Sequence, residues 1–127
     1  MSPGWLQALA VAAGGALGSW LRWRVGLWLN PLDFPFAAGT WAVNCAGGLM
    51  IGFGVVWFEA LPNDTLRLLL ITGFLGGLTT FSAYSAESLS LLLRGSPGFA
   101  ALHTLAHMAG GLASAALGWR LGRWLLG

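Results

Sequence analysis

Charged side chains are scarce in this sequence. Only 8% of its 127 residues are charged and lysine is absent, so the chain lacks the polar surface of an ordinary soluble domain. The net charge of +2 comes from scattered arginines, which excludes the basic patch of a nucleic-acid-binding protein, and we expect no nucleic-acid partner. The single cysteine, Cys45, excludes an intrachain disulfide. This composition predicts an integral membrane protein, whose surface contacts the lipid bilayer.

Four long hydrophobic segments account for most of the chain. They cover roughly residues 5–29, 36–58, 66–93 and 99–124, and about 20 apolar residues are enough to cross a bilayer as a helix. A turn rich in proline, at residues 30–35, connects the first two. The 57% hydrophobic content and the twenty glycines, which allow close helix packing, agree with this interpretation. The sequence therefore predicts an all-α membrane protein, with residues 1–127 forming a single domain of four transmembrane helices.

The third segment is interrupted in its middle by glycines and hydroxyl side chains. It reads Gly73-Phe-Leu-Gly-Gly-Leu-Thr-Thr-Phe-Ser-Ala-Tyr-Ser85, in which Gly73, Gly76 and Gly77 each weaken a helix. We expect this third helix to be broken near its middle. Backbone groups that a break frees in hydrocarbon must be buried in protein, line a wet cavity or hold an ion. The break is therefore a candidate functional site.

Small and polar side chains form a stripe on the second segment. Thr40, Asn44, Gly48 and Gly52 recur every four residues and share one helix face. Asn44 lies deep in the hydrocarbon, where its amide either makes interhelical hydrogen bonds or donates to an anion passing through a pore. Arg22, in the first segment, also has two interpretations: it extends to the interface, or it attracts anions and fixes the structure.

Aromatic and titratable side chains follow the expected break and recur in the last segment. Phe81 and Tyr84 lie on one side of a half-helix, with Glu87 about a turn beyond. Their spacing alone favours core packing for the two rings, and Glu87 is equally compatible with an interfacial residue in contact with water. His103 and His107 share a helix face and suit either interhelical hydrogen bonds or a zinc site. The sequence does not show the further ligands that zinc requires.

The arginines favour neither orientation in the membrane. With four spans, three arginines lie on each side, so the positive-inside rule selects no topology. A chain that inserts both ways round would show this balance, and two copies in opposite orientations would form a closed dimer around a two-fold axis. We therefore expect an antiparallel, dual-topology homodimer. The alternative is that one orientation prevails, because a buried Arg22 would not count toward the charge balance. The arginines on one side are Arg67, Arg120 and Arg123, and those on the other are Arg22, Arg24 and Arg94.

Three motifs in the first three segments resemble those of a known family. They are Gly14-Gly-Ala-Leu-Gly-Ser-Trp-Leu-Arg22, Gly39-Thr-Trp-Ala-Val-Asn44-Cys-Ala-Gly-Gly and Gly73-Phe-Leu-Gly-Gly-Leu-Thr-Thr-Phe-Ser82. Together they resemble the bacterial fluoride channels called Fluc or CrcB. The resemblance implies a multi-pass protein of the bacterial inner membrane, a dual-topology homodimer through which fluoride leaves the cytoplasm passively. It also implies a structural sodium ion at the dimer centre, held by the backbone carbonyls of Gly76 and Thr79.

The resemblance also bears on the path that fluoride takes. Fluoride is small and strongly hydrated, so a selective channel must replace its lost water with hydrogen-bond donors at close quarters. Amide and hydroxyl groups are such donors, and aromatic ring edges are electropositive. We expect Arg22 to lie near the vestibule. The residues assigned to the fluoride pathway are Thr40, Asn44, Phe81, Ser82, Tyr84, Glu87 and His107.

The chain departs from the family pattern in two places. Tyr84 stands where the family typically has a second phenylalanine, so this ring carries a hydroxyl that either donates to the ion or blocks its path. In the last segment, His103, His107 and Gly111 stand where the family often has tyrosine and serine. We expect the histidines to supply pH-sensitive donors. Unchanged flux after substitution of both histidines with glutamine would contradict that expectation.

Two other functions fit parts of the pattern. A small dual-topology multidrug or cation transporter also has four spans, but it needs a membrane carboxylate in the first span, where this chain has Arg22. A non-conducting assembly subunit would use every polar stripe for packing, and the purified protein would carry no ion flux. We do not expect an enzyme, because a serine paired with His103 or His107 would lack both a nucleophile motif and a third, orienting group.

Overall fold

The structure consists of helices. The computed structural model describes residues 2–30 and 37–127, and within those residues it contains no strand. The all-α class predicted from the sequence is therefore confirmed for this part of the chain. The helices are α1 (Gly4–Leu29), α2 (Ala38–Ala60), α3 (Asp64–Arg67, continued by the π-helical Leu68–Leu75 and by Gly76–Leu78), α4 (Phe81–Leu93) and α5 (Pro97–Leu126).

Within residues 2–30 and 37–127, two helical stretches are long and apolar enough to cross a membrane. They are Ala38–Ala60, which is α2, and Asp64–Leu93, which joins α3 and α4 across their break. The sequence predicted four spans. Helices α1 and α5 are also long, with 26 and 30 residues, but they carry arginine, tryptophan and, in α5, histidine side chains that lower their mean hydropathy. The described residues thus form four helical segments, of which two have the length and hydropathy of a membrane span.

The helices pack in two pairs through close backbone contacts. Helix α2 packs along α5, and α1 packs along α3. A Cβ atom added at Gly52 would meet the Ala115 carbonyl, and one added at Gly118 would meet the Leu49 carbonyl. Small residues at such crossings are typical of helix packing in membranes. The small-residue stripe predicted on α2 therefore includes part of its contact surface with α5.

The third segment is broken, as predicted, but not at its glycines. Gly73 and Gly77 lie within α3, where an added Cβ would meet the backbone of α1. Helix α3 ends at Leu78, and Thr79 and Thr80 adopt extended conformations before α4 begins. The two glycines allow α1 and α3 to approach each other, and the threonines form the break.

The end of α1 supplies a cap for the beginning of α2. The Asn30 Oδ1 atom accepts hydrogen bonds from the backbone N–H groups of Gly39, at 2.8 Å, and Thr40, at 3.3 Å. Both groups belong to the first turn of α2, where a helix offers no acceptor of its own. Of the turn predicted at residues 30–35, residues 31–35 lie outside the described part of the chain.

Candidate functional site

Asn44 connects α2 to the break between α3 and α4. Its Oδ1 atom accepts a hydrogen bond from the backbone N–H of Thr80 at 2.8 Å, and its Nδ2 atom donates to the Thr80 carbonyl at 3.1 Å. One amide side chain therefore bonds both backbone polar groups of a residue that has left the helix. The structure shows an interhelical hydrogen-bonding role for Asn44, which is one of the two roles that the sequence allowed.

The break deprives several backbone carbonyls, among them those of Gly76 and Thr79, of their helical donors. In a continuous helix the N–H of Thr80 would donate to Gly76, and the N–H of Ala83 would donate to Thr79. Here the Thr80 N–H donates to Asn44, and the Ala83 N–H donates to Thr80 Oγ1 at 3.1 Å. Gly76 and Thr79 line the same cavity. Two carbonyl oxygens are thus available to a hard cation, which prefers oxygen ligands.

Arg22 is bonded to the C-terminal end of α3. Its Nε atom donates to the Gly77 carbonyl at 3.0 Å. Arg22 also lines a cavity of about 360 Å³, here called the arginine cavity, together with Asn30, Thr40 and Glu87. The charge of Arg22 therefore lies beside a polar cavity while its Nε group holds the helix end in place.

A second cavity, of about 430 Å³, lies beside the break and is here called the break cavity. Asn44, Thr79, Thr80 and His107 contribute polar groups to its wall, which includes segments of α2, α3, α4 and α5. Thr80 lines both this cavity and the arginine cavity. The two cavities thus meet the same residue of the break.

Six of the seven residues that the sequence assigned to the fluoride pathway line one of the two cavities. The seventh, Ser82, is exposed, and its Oγ atom lies 3.3 Å from Thr80 Oγ1. Of the other six, the arginine cavity is lined by Thr40 and Glu87, and the break cavity by Asn44, Phe81, Tyr84 and His107.

Three rings form a column along the break cavity. Phe81 and Tyr84 meet edge to face, with ring centroids 5.1 Å apart and planes at 85°. Tyr84 in turn stacks on His107, with centroids 4.6 Å apart and planes at 14°. The Phe81 side chain is 75% exposed in the single chain, whereas His107 is buried. The column therefore runs from the surface of the chain to its interior.

A chain of hydrogen bonds joins α2, α4 and α5. Thr40 Oγ1 donates to Glu87 Oε1 at 2.6 Å, and Glu87 Oε2 lies 3.0 Å from Nε2 of His103, which is fully buried. His103 Nδ1 lies 2.7 Å from Ser88 Oγ, which lies 2.9 Å from Thr104 Oγ1.

Sequence reasoning missed the pairing of Glu87 with His103 and the contributions of Thr80 and Ser88. The glycine-proline loop before α5 was the available signal, because it returns α5 along α4.

The chain is similar to a known family over most of its length. The sequence profile described as "CrcB-like protein, Camphor Resistance (CrcB)" matches residues 9–119. The chain belongs to the CrcB family. A CrcB relative from Aromatoleum aromaticum is 53% identical over 113 residues, which are 87% of this chain and 86% of the relative. Another, from Pseudomonas aeruginosa, is 46% identical over 125 residues, which are 97% of this chain and 98% of the relative.

Both CrcB relatives carry the name fluoride-specific ion channel FluC, as does a third from Cupriavidus pinatubonensis that is 48% identical over 115 residues, 89% of this chain and 91% of the relative. The family resemblance predicted from the three motifs is therefore confirmed. The CrcB match begins in α1 and ends in α5, so it includes Arg22, the break and both histidines.

Proposed function

We propose that this CrcB protein is a fluoride-selective channel, which lets fluoride leave the cytoplasm passively and so lowers fluoride toxicity. The observation that carries the proposal is the family match over residues 9–119, together with a relative of 53% identity named as a fluoride-specific channel. Passive conduction requires a path with suitable ligands and no chemical step. The protein is accordingly a transport protein and not an enzyme.

The break cavity offers fluoride a buried hydrogen-bond donor. Asn44 Nδ2 donates one hydrogen to Thr80, and its other hydrogen points to His107 Nδ1 at 3.1 Å. Because Nδ1 accepts, the neutral His107 ring carries its proton on Nε2. That atom is buried and has no hydrogen-bond partner among the described residues. We infer that His107 Nε2–H takes the place of part of the water that a fluoride ion loses.

The remaining pathway residues extend from this donor. The edges of the Phe81 and Tyr84 rings are electropositive and can contact an anion that the ring faces would repel. On the other side of Thr80, the arginine cavity contains Thr40 and Glu87, and Arg22 supplies the charge that attracts an anion there. We place the vestibule at the arginine cavity and the narrow part of the path at the ring column.

We propose further that two copies assemble as an antiparallel, dual-topology homodimer with a sodium ion at its centre. The carbonyls of Gly76 and Thr79 fit such an ion, because both have lost their helical donors and both belong to one cavity. Gly76 is exposed in the single chain, as is Phe81, so a second copy has access to this face. The ion would hold the two breaks together and would not be transported.

Four membrane spans in the bacterial inner membrane complete the proposal. At about 1.5 Å per residue, the 26 residues of α1 and the 30 of α5 exceed the roughly 30 Å of a hydrocarbon core. Each packs along one of the two helical stretches that meet the hydropathy of a span. Three arginines on each side then leave both orientations open, as a dual-topology dimer requires.

Ion efflux from liposomes tests the channel. Purified protein is reconstituted into liposomes loaded with potassium fluoride or potassium chloride, and the released anion is recorded with an ion-selective electrode. We expect rapid fluoride release and little chloride release. Folded, dimeric protein that releases no fluoride would contradict the proposal and favour an assembly subunit. Proton-coupled movement of an organic cation would favour the multidrug transporter.

A further inference from the structure

Glu87, His103 and His107 bring three metal-ligand atoms within 4.8 Å of one another. We propose that these three side chains bind a transition-metal dication, with zinc as the first choice, at a site between the arginine cavity and the break cavity. Two imidazoles and one carboxylate, with a fourth position open to water, are a donor set that zinc takes in proteins. The histidines lie one turn apart on α5, and Glu87 comes from α4.

The directions of the hydrogen bonds make His103 Nε2 a ligand atom. Thr104 Oγ1 donates its single hydrogen to the Ala100 carbonyl, so Ser88 Oγ donates to Thr104. Ser88 Oγ therefore accepts from His103 Nδ1–H, and the neutral ring has its lone pair on Nε2. That lone pair faces Glu87 Oε2 at 3.0 Å. A proton on Nε2 makes this contact an ion pair with Glu87, and a metal ion would take the place of that proton.

His103 and Glu87 each make a second hydrogen bond of the kind that orients ligands in metal sites. A metal-binding histidine usually donates its other ring N–H to an acceptor, as His103 Nδ1 does to Ser88. A ligating carboxylate usually accepts a hydrogen bond on its second oxygen, as Glu87 Oε1 does from Thr40 at 2.6 Å. These bonds orient both ligands before an ion arrives.

His107 supplies the third ligand, and metal binding there changes which ring nitrogen carries the proton. Its Nε2 atom is buried and has no hydrogen-bond partner in the described part of the chain. Coordination at Nε2 displaces the proton that the neutral ring carries there. A neutral ring that coordinates through Nε2 must carry its proton on Nδ1, where the proton would end the 3.1 Å contact with Asn44 Nδ2. Metal binding at this site therefore competes with the donor that the channel offers to fluoride.

An ion can reach the site from the arginine cavity. The Glu87 side chain is 25% exposed and lines that cavity, so a hydrated dication that enters binds to the carboxylate against the repulsion of the Arg22 charge on the same wall. A bound dication would then occupy the ring nitrogen that we assign to the fluoride path. We expect it to slow fluoride efflux, and this part of the inference rests on the proposed function.

Cobalt and zinc titrations of the purified, full-length protein test the binding site directly. Cobalt(II) held by three protein ligands gives visible absorption bands, and zinc should displace it from one site per chain. Glu87→Gln and His107→Gln should each weaken binding by at least about tenfold. Glu59→Gln is the matched control, because Glu59 is an exposed carboxylate at the end of α2. Absence of the bands in the wild type, or unchanged affinity in His107→Gln, would overturn the site.

His103→Gln is the remaining ligand variant, and its folding must be checked because His103 is fully buried. Thermal melting of each variant separates a lost ligand from a lost fold, and the two less buried positions decide the case if His103→Gln does not fold.

Zinc added to proteoliposomes tests the consequence for flux. The ratio of fluoride efflux with zinc to efflux without it should fall in the wild type and stay near one in His107→Gln, whatever the basal rate of that variant. Zinc that binds without changing wild-type efflux would overturn the inhibitory effect. If the wild type releases no fluoride even without zinc, the proposed function fails, while the cobalt titration still decides the metal site.

Discussion

Asn44 and Thr80 exchange two hydrogen bonds across the contact between α2 and the break, with Asn44 Oδ1 accepting from the Thr80 N–H and Asn44 Nδ2 donating to the Thr80 carbonyl. The Thr80 N–H has lost its helical acceptor, and the Asn44 side chain takes that place. The second hydrogen of Nδ2 points to His107 Nδ1. The Asn44 amide thus bonds the backbone of Thr80 at the break, and it also sets which nitrogen of the neutral His107 ring carries the proton.

Asn44→Ala should destabilise the protein. It leaves the N–H of Thr80 unpaired in a partly buried site and removes one donor to the Thr80 carbonyl, and a buried polar group without a partner costs about 1–3 kcal/mol. Thermal melting in detergent measures the effect. Ser85→Ala is the control, because the Ser85 hydroxyl donates to the Phe81 carbonyl of its own helix. Equal melting temperatures for Asn44→Ala and Ser85→Ala would show that the Asn44 bonds do not hold the break.

Arg22→Gln should also lower the melting temperature, because it removes the charged donor to the Gly77 carbonyl. Hydrogen bonds that involve a charged group contribute about 1.5–3 kcal/mol. Arg22→Lys keeps the charge but lacks the Nε–H group, so we expect it to restore little of the loss. Arg24→Gln is the control, since the Arg24 guanidinium lies over the Trp28 ring, 5.3 Å from its centroid. Full stability in Arg22→Lys would mean that charge alone is required.

The existence of the break was predicted from the sequence, but the residues that form it were not. Glycines among apolar residues correctly predicted a broken third segment. They placed the break before Phe81, where it lies, but did not single out Thr79 and Thr80, because Gly73 and Gly77 are needed for contact with α1, which a propensity argument does not see. Thr80 leaves the helix where Asn44, 36 residues away, can bond it. Such a contact depends on how α2 and α4 pack, and no local pattern encodes it.

The candidate site was predicted as separate residues and not as connected groups. Glu87 and His103 were both named, but their contact at 3.0 Å was not. They are equally distant in sequence from Gly95, whose φ of 76° lets the chain turn between α4 and α5. Treating this loop as a helical hairpin would have paired them, and with them Ser88 and Thr104.

Gly118→Ala should disrupt the packing of α2 on α5. The added Cβ would meet the Leu49 carbonyl, so the two backbones must separate. Overpacking of this kind typically costs about 1–3 kcal/mol. Gly98→Ala, in the first turn of the same helix, is the control, because an added Cβ there has nothing within 4 Å. Size-exclusion chromatography and thermal melting compare the two, and a Gly118→Ala protein as stable as Gly98→Ala would refute the close contact.

Tyr84→Phe should conduct fluoride at close to the wild-type rate, because both ring contacts of Tyr84, with Phe81 and with His107, are kept. Tyr84→Ala should slow efflux strongly, since it removes one ring from the column and the contacts that orient Phe81 and His107. Efflux from proteoliposomes measures both variants. Loss of efflux in Tyr84→Phe would assign the role to the hydroxyl instead of the ring.

The most direct test of fluoride conduction compares fluoride and chloride efflux from liposomes that contain either the wild type or Phe81→Ile. Phe81 is 75% exposed in the single chain, so its replacement should leave the fold intact while it removes a ring edge from the path. We expect fast, fluoride-selective efflux from the wild type and much slower efflux from a folded Phe81→Ile protein. Equal release of fluoride and chloride, or no fluoride release from a folded wild-type dimer, would contradict a fluoride channel.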